Sequence, residues 1–165
     1  MLENYKKHVA ERAEQNIPPL PLDADQTSEL IELLKKDHQE SDFLLDLLKE
    51  RVPAGVDQAA YVKAAFLADI TTGKASSPYI TKIDAVKILG TMLGGYNIQP
   101  LIECLKDNEL AETAAHVLSR TLLIFDAFNE IFELSKKNEH AKKVVEEWAN
   151  ATWFTEKTDI EEQIK

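Results

Sequence analysis

Cysteine is nearly absent: the 165-residue chain has one, Cys104. A single thiol excludes an internal disulfide framework and every multi-cysteine metal site built from this chain alone, and it fits a reducing compartment. Glycine and proline are also sparse, at five and six residues, so the corners they mark are few. No apolar run approaches the roughly 20 residues that span a bilayer. The N-terminus, Met1-Leu2-Glu3-Asn4-Tyr5-Lys6-Lys7, lacks the apolar stretch of a signal peptide. The expected location is cytoplasmic, with no membrane partner. Positive charge is in deficit, 19 Lys and Arg against 29 Asp and Glu, for a net charge of −10. Such a balance disfavours nonspecific binding to phosphate backbones, although it leaves room for a local basic patch.

What is present favours helices. Hydrophobic residues make up 44% and charged residues 29%, ordinary values for a folded domain and incompatible with wholesale disorder. The length gives one domain, able to bury roughly two thirds of its unfolded surface. Strict apolar alternation is missing and β-branched residues fall at helical spacing, so no strand is required.

The centre of the chain is the stretch 90–102, where three of the five glycines join two apolar helical patterns. A Gly94-Gly95 pair after an apolar run is a helix stop, because glycine enters the left-handed region without steric penalty. Asn97 is expected to cap the next helix through its side-chain oxygen, with Pro100 in the first turn, where a missing N–H leaves no bond unmade.

On either side the reading is a succession of helices. Residues 2–16 form a weakly amphipathic helix with Tyr5, Val9 and Ala13 one turn apart. Residues 17–22, with three prolines, form an extended arm. Asp25 caps a helix to about Lys36. After a polar break, a helix beginning near Ser41 carries Phe43, Leu44, Leu47 and Leu48. Asp57 caps a central helix with Val62, Phe66 and Ile70 on one face and the small ridge Ala60, Ala64 and Ala68 on another; it stops at Gly73. Thr81 caps residues 82–93, and residues 98–106 follow the corner. A long pattern over 109–137 bears two stripes, Leu118, Leu122 and Phe125 against Val117, Ile124, Phe128 and Ile131, with a break near Ser119-Arg120-Thr121. A further helix covers 139–153, and Thr155 caps a last short one. Successive hairpins of this kind suggest an all-α stack of antiparallel pairs, a HEAT-like α-solenoid, with a compact helical bundle as the alternative. The single domain is 1–165, with the first helix and proline arm in 1–22 and a tail or linker in 155–165.

Several strings agree in order and spacing with one known family. His8-Val9-Ala10-Glu11-Arg12-Ala13, Arg51-Val52-Pro53-Ala54-Gly55-Val56-Asp57, Tyr61-Val62-Lys63-Ala64-Ala65-Phe66-Leu67-Ala68, the stretch 90–102, and Leu118-Ser119-Arg120-Thr121-Leu122-Leu123-Ile124-Phe125-Asp126 resemble the amino-terminal region of bacterial aconitate hydratase B. The likeness covers about residues 1–155. It implies a parent enzyme several times longer, a hydro-lyase of the tricarboxylic acid cycle that interconverts citrate and isocitrate through cis-aconitate, some members also acting on 2-methylisocitrate. It further implies a [4Fe-4S] cluster held by three cysteines outside this span. The leading region is then a HEAT-like accessory domain that contacts the catalytic domains of the same polypeptide and serves in protein–protein contact. A third reading suggested by the resemblance is RNA contact by the parent enzyme, for which this acidic domain is not expected to be the main surface. The alternative is a stand-alone helical-repeat adaptor for a protein partner, of which a homodimer through tryptophan-bearing faces is one version.

No residue here is expected to be catalytic, cofactor-binding or metal-binding. Cys104, within Leu101-Ile102-Glu103-Cys104-Leu105, reads as a buried structural thiol, and His116 lacks a partner at ligand spacing. His8, His38 and His140 are expected to face water. Thr72-Gly73-Lys74 lacks the upstream glycine of a phosphate-binding loop. Trp148 and Trp153 read as core or interface anchors. Gly94, Gly95, Tyr96 and Asn97 are the candidates for contact with a neighbouring domain.

Overall fold

The computed structural model describes residues 1–121 and 127–151. They are all-helical, with no strand element among them. In order come α1 (Leu2–Glu14), α2 (Ala24–Leu34), α3 (Ser41–Asp46) running into a π-helical turn (Leu47–Arg51), α4 (Gln58–Thr72), α5 (Lys82–Leu89), α6 (Ile98–Cys104), α7 (Ala111–Leu118), α8 (Phe128–Ser135) and α9 (Glu139–Ala149). From α2 onward the helices pack mainly on near neighbours: α2 on α3 and α4, α4 on α5, α5 on α7, α7 on α9 and α9 on α8, with α6 tucked against α4, α5 and α7.

Local chemistry explains where most helices begin and end. Asp57 Oδ1 accepts from the backbone N–H groups of Ala59 and Ala60 at 2.9 and 3.1 Å, starting α4. Gly73 ends it in the left-handed region at φ 75°. Thr81 and Asp84 form a reciprocal capping box on α5, so two backbone donors are satisfied at once. Asp23, rather than Asp25, caps α2, in a second capping box with Gln26. Leu22 is 1% exposed and its N–H donates to the Arg51 carbonyl at 2.8 Å. The chain is thereby fixed just before Asp23, and the helix starts there.

The middle helix α4 has apolar residues on most sides. Ala60 and Ala64 are buried against neighbours, as are Phe66, Leu67 and Ile70. The proline arm is extended and is held by side chains from two elements. Tyr5 Oη donates to the Leu20 carbonyl at 3.1 Å, Arg12 Nε donates to the Pro18 carbonyl at 2.6 Å, and Arg51 donates to the Pro19 carbonyl.

Several helices are shorter than their apolar patterns, α9 ending at Ala149 and α6 at Cys104. α5 stops at Leu89 because the chain turns at once: Thr91 N–H donates to the Ile88 carbonyl and Met92 N–H to the Leu89 carbonyl, both at 3.1 Å. The long 109–137 pattern is interrupted at Ser119 and Arg120, where tight bonds from Arg120 to Val117 and from Thr121 to Leu118 replace helical ones. Leu122, Ile124 and Phe125 of its proposed stripes lie outside the described residues, as do Trp153 and the cap assigned to Thr155.

Candidate interaction surface

The Gly94-Gly95 corner is the point from which the most distinctive surface is built. Both glycines have positive φ, 124° and 82°, a region that side chains rarely enter. Gly95 has a second constraint. A Cβ there would lie 2.9 Å from Val56 Cγ1, so the corner sits directly on the loop that precedes α4. Two hydrogen bonds join these segments: Leu93 N–H to the Ala54 carbonyl at 3.0 Å, and Tyr96 Oη to the Val56 carbonyl at 3.1 Å. Tyr96 also meets Tyr61 of α4 edge to face, with ring centroids 5.2 Å apart.

At this junction four apolar side chains from two segments face solvent. Val56 is 70% exposed, Leu93 62%, Tyr61 49% and Tyr96 38%. No charged residue occurs from 88 to 102 in a chain that is otherwise 29% charged. That charge-free run was the sequence signal for the patch; its partners Val56 and Tyr61 come from another segment and carried none.

Asn97 occupies the N-cap position of α6, but its side chain makes no capping bond. The expected cap is corrected by the geometry. The side chain is fully buried and turns back across the corner, Nδ2 donating to the Leu89 carbonyl at 2.8 Å and to the Met92 carbonyl at 3.4 Å. Asn97 therefore ties the end of α5 to the start of α6, while its Oδ1 has no hydrogen-bond partner among the described residues. Of the four corner candidates, Tyr96 is the one whose side chain faces outward; Gly94 and Asn97 are buried.

The remaining candidates are scattered over several helices. Cys104 is 4% exposed, and burial pushes its thiol up, which suits a small core hydrophobe. His116 is exposed, with Nδ1 3.0 Å from Arg120 Nη1. The three histidines expected in water are instead half-buried. His8 Nε2 accepts from Leu20 N–H at 3.0 Å and His38 Nδ1 from Glu40 N–H at 3.1 Å. Nδ1 of His140 is buried without a partner among the described residues. Trp148 stacks on Phe128, 5.7 Å between centroids. A groove of about 220 Å³ between α2 and α4 brings together no reactive set; its Lys35 is paired with Glu32 at 2.6 Å. No group of three or more metal-ligating side chains exists among the described residues.

One residue went unnoticed in the sequence. Lys63 of α4 is 1% exposed, its Nζ donating to the Lys49 carbonyl in the π-helical turn at 3.4 Å. Burial lowers its pKa to about 8, opposed by the nearby Glu50 carboxylate. A lone lysine in a helix usually extends its stem and keeps its charge in water; here the π-helical turn closes over it.

Taken together, these features define a helical scaffold with no group of three or more metal-ligating side chains among its described residues and with a distinctive exposed apolar surface at the Gly94-Gly95 corner. Comparison with known proteins gives the family. The chain belongs to the aconitate B N-terminal domain family, matching it over residues 4–154. It is 55% identical to aconitate hydratase B of Escherichia coli K12, covering 99% of this chain and 19% of that protein. It is 54% identical to aconitate hydratase B of Pseudomonas aeruginosa and 52% identical to that of Synechocystis, with the same two coverages in each case. The chain thus spans about a fifth of the length of the curated relatives it matches.

Proposed function

We propose that this chain is the N-terminal, non-catalytic domain of an enzyme of the aconitate hydratase B type, a HEAT-like helical module that contacts the rest of the enzyme. The parent enzyme interconverts citrate and isocitrate through cis-aconitate in the tricarboxylic acid cycle, in the cytoplasm. The carrying observation is the family match over residues 4–154, supported by ordered neighbour-to-neighbour helix packing. No helix among the described residues is long and apolar enough to cross a membrane.

The [4Fe-4S] cluster implied for the parent needs cysteine thiolates. This chain has one cysteine, buried, with its thiol pKa raised by that burial. The residues present do not fit the cluster, and its ligands are assigned to the other domains. The chain's own part is mechanical: to hold a rigid shape and present a surface.

The test compares this chain alone with the same chain joined to an enzyme body. Alone, supplied with ferrous iron and sulfide under reducing conditions, it leaves citrate unconverted. Fused in place of the matching N-terminal fifth of the E. coli enzyme, it restores the citrate turnover that the truncated enzyme lacks. Turnover by the isolated chain, or a folded fusion no more active than the truncated enzyme, contradicts the proposal.

A further inference from the structure

The aconitate hydratase B reading names a parent polypeptide but leaves open which face of this domain meets it. We propose that the patch of Val56, Tyr61, Leu93 and Tyr96 is the seat for the rest of the same polypeptide, an inference that rests on that reading.

Three observations favour this occupant. The first is charge. The chain carries −10 overall, yet the corner from 88 to 102 has no charged residue. Interface cores are depleted in Lys, Glu and Asp and enriched in tyrosine, whereas partners captured by electrostatic steering need complementary charge. The corner thus brings no charge to the patch, where Asp57 beside Val56 is the carboxylate next in sequence, and so sparsely charged a surface on an acidic domain suits a permanent neighbour. The second is rigidity. The Tyr96–Val56 and Leu93–Ala54 hydrogen bonds and the fit of Gly95 against Val56 fix the backbone of the corner on the loop before α4, and the ring contact holds Tyr61 and Tyr96 against each other, before any partner arrives. Little ordering entropy is then lost on docking. The third is size. The four residues expose on the order of 400 Å² together, against roughly 800 Å² per partner for a stable free complex. A patch this small does not hold a second copy at micromolar concentration. It does hold a covalently tethered neighbour, because a linker raises the effective concentration to about millimolar. The relatives supply that neighbour, since about four fifths of their length lies beyond the match.

The experiment uses a chimera in which this chain replaces the matching fifth of E. coli aconitate hydratase B. A benzophenone amino acid is placed at position 93, and in a control at Lys7, which is well exposed on α1. Irradiation is expected to join position 93 to peptides of the downstream body at monomer mass, equally after tenfold dilution, with no such product from position 7. Covalent dimers that vanish on dilution, or no product from position 93, overturn the inference. A second arm introduces Val56→Asp with Leu93→Asp. Trypsin is expected to cut the domain from the chimera at least tenfold faster, while the isolated variant chain keeps the helical signal and melting temperature of the parent chain. An unchanged cutting rate overturns the inference. Citrate turnover is recorded on the same chimera. Turnover without cross-links removes the docking face alone, whereas cross-links without turnover support the face and contradict the enzymatic reading.

Discussion

Asn97 Nδ2 lies 2.8 Å from the carbonyl oxygen of Leu89, the last residue of α5. The bond crosses the Gly94-Gly95 corner and fixes the angle at which α6 leaves it. Its acceptor also takes the Met92 N–H at 3.1 Å, so the asparagine completes a small buried network.

Replacing Asn97 with Ala removes that tie and leaves a void in a fully buried position. The cost is about 1–3 kcal/mol, read as a lower urea midpoint with an unchanged slope. Asn97→Asp costs more, because a carboxylate would face two carbonyl oxygens with nothing to donate. Equal midpoints for the parent chain and the alanine variant would contradict this role.

Gly90 illustrates two opposing effects. It has helical dihedrals, φ −66° and ψ −15°, so intrinsic propensity favours alanine by about 1 kcal/mol. A Cβ at this position, however, would lie 2.5 Å from Val117 Cβ and 2.6 Å from Val117 Cγ1, where α5 approaches α7. Overpacking wins, and Gly90→Ala is expected to destabilise by about 1–3 kcal/mol. Adding Val117→Ala recovers part of the loss, seen as a favourable coupling in a double-mutant cycle. A Gly90→Ala chain that melts higher than the parent would show that the contact relaxes freely.

Lys63 makes stability depend on pH with a defined sign. Its folded pKa, about 8, is below the ordinary lysine range because burial disfavours the ammonium. Between about pH 8 and the ordinary range the unfolded chain binds a proton that the folded chain does not, so stability rises with pH across that window. Below it the burial cost is constant, on the order of 3 kcal/mol at most. Lys63→Met keeps the stem and drops the charge. It is expected to raise the melting temperature at pH 7 by several degrees, with the advantage shrinking toward pH 10. A gain that grows with pH would reverse the sign and refute the account.

Arg51 holds the N-terminal arm from the π-helical turn, its Nε donating to Tyr5 Oη at 3.1 Å and its guanidinium reaching the Pro19 carbonyl. Arg51→Met is expected to cost about 1–3 kcal/mol and to speed tryptic removal of residues 1–12 roughly tenfold, while the remaining helices stay protected. A cleavage rate equal to the parent's would show that apolar packing of Tyr5 and Leu22 holds the arm unaided.

The all-helical class and most boundaries were legible because their signals are local. Asp57, Gly73 and Thr81 act on backbone groups within a few residues, and a capping oxygen or a left-handed glycine reads directly from sequence. The corner at Gly94 and Gly95 was legible for the same reason. What Asn97 does there was not, since its choice between its own helix and the carbonyls of Leu89 and Met92 is made by tertiary packing. The burial of Lys63 likewise depends on a π-helical turn that no local pattern announced. The surface patch was half visible: Tyr96 belonged to the recognised corner, whereas Val56 and Tyr61 join it only when loop and helix fold together.

The central claim, that this chain is a scaffold for chemistry carried elsewhere in an aconitate hydratase B, is tested most directly by citrate turnover in the chimera with the E. coli enzyme. The intact E. coli protein and its version lacking the N-terminal fifth are measured beside it. Turnover within about tenfold of the intact enzyme, and well above the truncated one, is the expected result. A chimera that folds and carries its cluster, yet turns over citrate no faster than the truncated enzyme, would contradict it.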